Sequence, residues 1–567
     1  MKHNIITLLL GGCCLLNSCY ELDINPLAQG SSENWYSSET EIEMALKDGY
    51  RIDFWPKDKE EWTDDYVYRE TNSSIVNGTL NGQDGSVTDM WKKQYKAIAR
   101  ANTILANMEK AQSLNIPQNK IDLYTAEAYF LRASMYARLI SHFGDVVYVT
   151  EVISIEEAFK VGRTPKAEII PEVYNDFDKA AATLPVSYSG STSQRATKGA
   201  ALALKARFAL YMGDWTVAME AAKACIELDR YKLHPDFSDL FLSTTRNSEE
   251  SIFVLPRSVS DKVTLGSEEV LNVISRNSGG WSAKDPSWDL LAAYTCTDGL
   301  PIDESPLFDS HDPFKNRDPR CTATIVAFGS RHLGFDYDPH PEALEVMNYN
   351  TGKMQKNNDT RANAQYASFN GLIWKKGVDE TWLDNGKDVD PDYIIIRYAD
   401  VLLMYAEAKI ELNQIDQSVL DAINMVRARA YGVDKSATNL YPAVTVTDQS
   451  ELRKIVRLER RMELAYEGLR YMDLVRWRLA TKALSNKSYG LLYPASLLIE
   501  NVTGKGGWFW PGTPGIDEDG IPDFSEMEKA GQIAVLSQRL WNDRQYLWPI
   551  PTKEILINEN LRQNEGY

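Results

Sequence analysis

Apolar residues recur at helical spacing in two blocks of this chain, and the stretch between them, residues 231–393, has little of that rhythm. The first block runs from about Val87 to Arg230. In Trp91-Lys92-Lys93-Gln94-Tyr95-Lys96-Ala97-Ile98, apolar or aromatic groups fall at i, i+4 and i+7, one face of a helix. Leu123 to Phe143 repeats the period through Ala126, Tyr129, Phe130, Ala133, Ala137 and Ile140, and Gly144 follows as a stop. Helices are predicted over Pro171–Leu184, Gly199–Tyr211 and Thr216–Asp229, the last opened by Gly213-Asp214-Trp215. The second block spans 394–484. There Ile394-Ile395-Ile396-Arg397 leads into Tyr398 to Ala408, with further helices near Gln417–Ala430, Gln449–Tyr466 and Leu469–Leu484. Helix pairs of this length predict a mainly α fold, a tetratricopeptide-like helix-hairpin scaffold with long loop-rich insertions. Small residues such as Ala218, Ala221 and Ala222 let paired helices pack closely. No clean 34-residue register emerges, so generic helix hairpins stay open. Residues 231–393 and 485–567 are rich in Gly, Pro, Asp and Asn. Long irregular insertions in a regular scaffold are where function is expected.

Composition narrows the function classes. The 567 residues are 44% hydrophobic and 25% charged, which is ordinary globular usage. Lys+Arg number 61 against 80 Asp+Glu, a net charge of −19. That balance argues against a nucleic-acid partner, which needs a basic face, and against a polybasic membrane mode. Cysteines at 13, 14, 19, 225, 296 and 321 form no disulfide framework and no C-x-x-C pair. The six histidines are scattered, so no zinc site is expected. There is no G-x-S-x-G elbow, phosphate-cradling loop or H-E-x-x-H. Glu459 and Glu463 sit at i, i+4, but Arg457, Arg460 and Arg461 surround them. Such neighbours hold both carboxylates ionised, the wrong tuning for a general acid. Charges placed like these, with Arg397, Asp400, Glu407, Glu467 and Arg470, are expected to pair between packed helices. No catalytic residue and no cofactor is predicted. Two acidic loops, Asp384 to Asp392 and Asp517 to Gly520, offer oxygens to a calcium ion without the EF-hand register; solvated loops are the alternative.

The N-terminus reads differently. Met1-Lys2-His3 precedes an apolar run, Ile5 to Leu10, too short to span a bilayer. Residues 1–18 read as a secretory signal. It closes on Leu16-Asn17-Ser18-Cys19, which resembles a bacterial lipobox whose cysteine thiol takes a diacylglyceryl group. An ordinary signal peptide with a chance cysteine is the alternative, and a cut before Cys13 leaves a shorter apolar region. Two or three acyl chains on Cys19 would anchor the chain firmly. Tyr20 to Ser38 is a polar spacer, and residues 19–567 are expected to form one body.

Four segments carry a family resemblance along nearly the whole mature chain. They are Ala126-Glu127-Ala128-Tyr129-Phe130-Leu131-Arg132-Ala133 with Phe143-Gly144-Asp145-Val146; Arg397 to Ala408 with Asn424 to Arg429; Glu459 to Tyr471 with Asp473-Leu474; and Leu547-Trp548-Pro549-Ile550-Pro551 with Glu554-Ile555 and Asn558 to Tyr567. Asn316-Arg317-Asp318-Pro319-Arg320 also fits. In this order, behind a lipobox, they resemble the SusD/RagB family of outer-membrane nutrient-binding lipoproteins. The resemblance implies a cell-surface, lipid-anchored protein that caps a SusC-like TonB-dependent transporter and passes it an oligosaccharide. A peptide ligand is the second reading. An (α/α)-type glycan-degrading enzyme is a remote third, needing a carboxylate pair about 5–10 Å apart across a cleft.

A sugar's C–H face stacks on a flat ring while polar neighbours meet its hydroxyls. Tryptophans in polar loops are therefore the candidates, and Trp91 and Trp477, on helical stripes, are assigned to the core. Trp55 and Trp62 flank a charged hexapeptide, with Asp65 just after; Trp281 follows Asn277-Ser278-Gly279-Gly280; Trp382 precedes Asp384; Tyr337 lies between Asp336 and Asp338. Cys296, beside Tyr294 and the Asp298-Gly299 turn, is a further candidate, with a small buried thiol as the commoner alternative. The favoured site combines Trp62, Asp65 and Trp281.

Overall fold

A computed structural model describes residues 35–189 and 195–567. The signal segment and Cys19 lie outside the described residues. Numbering the longer helices only, α1 is Glu39–Asp48, α2 Gly85–Ala106, α3 Gln118–Phe143, α4 Lys166–Thr183, α5 Lys198–Met212, α6 Trp215–Ile226, α7 Tyr398–Glu411, α8 Gln417–Ala430 and α9 Gln449–Leu464. Their ends follow local chemistry. The Asp84, Thr197, Asp214, Asp416 and Asp448 side chains each accept a first-turn amide, satisfying donors that the helix cannot. Gly213 ends α5 in the left-handed region at φ 76°, where a Cβ would be strained.

The helices form a continuous array. Each of α2 to α5 packs on the next, α5 pairs with α6, and α6 packs against α7, which also carries α8 and α9. The two helical blocks thus share one core. Both helices of the α5–α6 pair carry fully buried alanines, Ala200, Ala203, Ala206 and Ala209 on one and Ala218 and Ala222 on the other. Trp91 and Trp477 are buried as expected. Three boundaries differ from the sequence reading. α1 lies in a stretch assigned no helix. Ile394–Ile396 belongs to a strand, β4 (Tyr393–Arg397), paired antiparallel with β2 (Ser251–Leu255), because buried β-branched residues read alike in either element. Leu469–Leu484 breaks into Arg470–Arg476 and Ala480–Ala483, with Arg478 at φ 60° between them.

Residues from 266 to 389 and 489 to 533 build a second core around Trp288, Trp374, Phe509, Trp510 and Phe524. The helix α9 spans both: Leu452 and Val456 enter the first core, Met462 the second. Between the cores its charges are buried and paired. Glu459 accepts from Arg320 (2.7 Å) and Arg427 (3.0 Å). Glu463 accepts from Arg397 (2.7 Å), Arg320 (3.1 Å) and Arg429. Glu467 is held by Arg397 and Lys376, both at 2.7 Å. On the opposite face Arg460 reaches Asp400 (2.8 Å), and Arg461 reaches Asp65 (2.6 Å). Pairing between elements is thus the fate of most of these charges. Arg457 is an exception: its guanidinium stacks on the Trp477 ring at 5.1 Å.

Candidate ligand-binding face

Of the seven sequence candidates, Trp281 alone is exposed, at 38%. The others are core residues, and this corrects the expected site. Trp62 packs edge-on against Tyr471 (5.5 Å) and Trp548 (5.1 Å). Trp55 stacks on Phe130, and its indole N–H donates to the Gly49 carbonyl. Asp65 is consumed by Arg461. Tyr337 is buried, its hydroxyl donating to the Gly371 carbonyl at 3.0 Å. Trp382 and Cys296 lie in the second core. A ring with both faces packed offers no platform to a sugar. Polar sequence neighbours were misleading here, since Asp64 and Asp65 are polar in order to meet Arg461 and Arg470 in the interior.

The structure instead assembles a face around Trp281 from three distant segments. Strand β1 (Tyr66–Tyr68) pairs antiparallel with β3 (Lys284–Pro286), Tyr68 opposite Lys284. The Arg69 amide extends this pairing by donating to the Ala283 carbonyl. Arg69 Nη1 then donates to the carbonyls of Trp281 (2.7 Å) and Tyr366 (3.0 Å). Arg276 donates to the same Tyr366 carbonyl at 3.5 Å. Tyr366 is 53% exposed, and the Arg69 guanidinium lies 5.4 Å from its ring centroid. In the same loop, Arg361 is sandwiched between Phe369 (4.2 Å) and Tyr493 (4.0 Å), and its Nε donates to the Gln365 carbonyl. Tyr493 is 44% exposed. Three solvent-facing rings and three guanidiniums therefore share one surface.

Their positions are fixed from below. Asp359 accepts the Arg276 amide at 2.7 Å, joining the 276 turn to the 359–370 loop. Asn370 donates to the Pro286 carbonyl and accepts, through its own carbonyl, the Trp288 indole N–H. Burial pushes the Asp285 carboxyl up to about 8. Burial also raises Asp359 to about 6, against the pull of the amides of Arg276 and Asn277. Trp281 is aimed outward by a tight turn: its amide donates to the Leu271 carbonyl and that of Gly280 to Ser275. A Cβ on Gly280 would sit 2.3 Å from the Ile274 carbonyl oxygen. Gly280→Ala is therefore expected to shift the turn and lower ligand affinity about ten-fold, roughly as much as removing one stacking ring does, with the helical circular dichroism unchanged. Titration calorimetry on the variant checks this.

Tyr366, Arg69, Arg276, Arg361 and Tyr493 were not singled out in the sequence. The available signal was Tyr366 as a lone aromatic among Ala362-Asn363-Ala364-Gln365 and Ala367-Ser368, the same pattern that marked Trp281. Among the described residues no group of three or more His, Cys, Asp or Glu side chains is arranged to hold a metal. The two acidic loops carry cations of the chain's own: Lys482 on Asp517 and Asp519, and Arg246 on Asp390 and Asp392.

A mainly helical array with exposed rings on its irregular insertions is the architecture expected of the tetratricopeptide-like class. Comparison with known proteins gives the family. The profile described as "SusD family" matches residues 249–567, and one described as "Starch-binding associating with outer membrane" matches residues 28–210. The chain belongs to the SusD family. It is 24% identical to SusD-like protein P2 of Formosa agariphila, over 88% of this chain and 97% of that protein. It is 27% identical to SusD-like protein P25 of the same organism, over 84% and 90%. Among solved structures, a SusD-like carbohydrate-binding protein from Bacteroides fragilis superposes with a TM-score of 0.75 at 29% identity, covering 93% of this chain and 99% of that one. A laminarin-binding SusD-like protein shares the fold, with a TM-score of 0.63 at 20% identity over 94% and 100%.

Proposed function

We propose that this protein captures an oligosaccharide at the Trp281–Tyr366 face and delivers it to a SusC-like TonB-dependent transporter, held on the outer membrane by acyl chains on Cys19. The observation that carries the reading is the convergence of exposed Trp281, Tyr366 and Tyr493 with Arg69, Arg276 and Arg361 on one surface. Flat rings take the apolar faces of sugars, and guanidiniums donate to their oxygens. The carbohydrate-binding description of the Bacteroides fragilis relative supports the same class of ligand. Exposed flat rings favour a glycan over a peptide, which is commonly held in an enclosing groove or along a free strand edge.

We read the role as binding alone, because the two carboxyls raised by burial beneath the face, Asp285 and Asp359, are themselves enclosed. Prolonged incubation with a bound glycan is expected to leave its chain length unchanged by mass spectrometry; shorter products would overturn that. The anchor and the partner are tested together. Native membrane extracts should yield the chain with an acylated Cys19 at its mature N-terminus and co-purifying with a large β-barrel. An unmodified terminus elsewhere would remove the anchor, and a free monomer in mild detergent would count against the partner.

A further inference from the structure

The face holds three arginines without a salt bridge among the described residues, in contrast to the buried arginines between the two cores. Elsewhere the fully buried guanidiniums of Arg320, Arg397 and Arg460 each meet carboxylates. Arg69, Arg276 and Arg361 donate only to backbone carbonyls, those of Trp281, Tyr366 and Gln365. Among the described residues none of the three forms a salt bridge. Arg257, Arg317 and Arg544 also donate to backbone carbonyls without a salt bridge, but Arg69, Arg276 and Arg361 converge. Two of the three meet at one carbonyl, that of Tyr366, and the third is anchored to the residue before it. The positive charges are therefore concentrated around a single loop.

We propose that the ligand of this face is an anionic glycan, whose carboxylate or sulfate groups are held by Arg69, Arg276 and Arg361 while Trp281 and Tyr366 stack on its rings. This rests on the glycan-binding reading above and names the class of glycan. A guanidinium presents a planar fork of N–H donors that matches a carboxylate or sulfate, and charge-assisted bonds of this kind are about twice as strong as neutral ones. Arg361 is pre-set for the task. Phe369 and Tyr493 clamp its plane, so little side-chain freedom is lost on binding. Burial also lowers it to about 10, with only Tyr493 acting in the opposite direction; an incoming anion offsets that desolvation.

The nearby acids cancel only part of the charge. Asp285 lies beneath Arg69 and is held largely protonated at neutral pH by burial. The Asp359 carboxylate, which accepts the amides of Arg276 and Asn277, offsets the Arg276 charge and leaves those of Arg69 and Arg361. Glu70, exposed at the rim, hydrogen-bonds the Tyr68 hydroxyl.

Titration calorimetry of the full mature chain tests the proposal with four probes: oligogalacturonate for carboxylate, carrageenan oligosaccharide for sulfate, laminarin oligosaccharide as a neutral glycan, and poly-glutamate as an acidic peptide. At least one acidic glycan is expected to bind about ten-fold or more tightly than the neutral one. That affinity should fall as salt rises and the Debye length shrinks from about 10 Å toward 3 Å. Arg361→Gln should weaken binding and flatten the salt dependence, whereas Arg361→Lys keeps the charge and the slope. Whichever of the galacturonate and carrageenan arms is tighter identifies the anion. Salt-independent binding of laminarin that is lost in Trp281→Ala would overturn the anionic class and leave the glycan reading standing. Binding of poly-glutamate alone, or of no probe, would overturn both.

Discussion

Replacing Glu463 by alanine is expected to destabilise the fold by about 3–5 kcal/mol, since removing one partner of a buried ion cluster strands the others. Glu463 is fully buried and meets Arg397, Arg429 and Arg320, which come from three different parts of the chain. Burial alone would raise its carboxyl, but these guanidiniums outweigh it and hold it well below the usual carboxylate range. Glu463→Gln keeps the volume and removes the charge, so a similar loss in both variants assigns the effect to charge rather than to a cavity. Denaturant unfolding measures it, and a change under about 1 kcal/mol in both would contradict a structural role for the cluster. The cluster also sets the acid limit. Asp400 and Glu467 are likewise buried, yet the cations around them bring each down to about 2. Their folded values lie below the unfolded ones, near 4. The stability they contribute is therefore present above pH 4 and lost as pH falls toward 2.

This junction was legible in the sequence because charges at helical spacing among large apolar residues have few options but to pair. The scaffold was legible for a related reason. α8 occupies Gln417–Ala430 as its periodicity indicates, and α3 ends at Gly144. The ligand face was legible only at Trp281. A tryptophan beside charged residues looks exposed in a linear reading, but Trp62 is enclosed by Tyr471 and Trp548, more than 400 residues downstream. No local pattern encodes that contact. Conversely, Arg69, Arg276, Arg361 and Tyr366 look like ordinary loop residues. They are brought together only because β1 pairs with β3 and Asp359 ties the third loop to the second. Long-range pairing that creates a surface leaves little trace in the sequence around each participant.

The second large effect is expected at that surface. Trp281 and Tyr366 are held by one guanidinium, Arg69, through their backbone carbonyls, so each ring can be removed while the backbone that positions it stays. Stacking on an aromatic ring contributes about 1–3 kcal/mol, by analogy with nucleobases. Loss of one ring should therefore weaken binding about ten-fold, and loss of both about 100-fold or more. Neither side chain belongs to a core cluster, so the unfolding free energy should stay within about 0.5 kcal/mol of the parent.

The direct test of the account is the affinity of the Trp281→Ala/Tyr366→Ala double variant for the glycan that the parent chain retains in affinity electrophoresis, with Trp62→Ala as a contrast. The double variant is expected to migrate unretarded while remaining as stable as the parent, and Trp62→Ala to lower stability because its ring is core. Retardation of the double variant equal to that of the parent, with the fold intact, would contradict it.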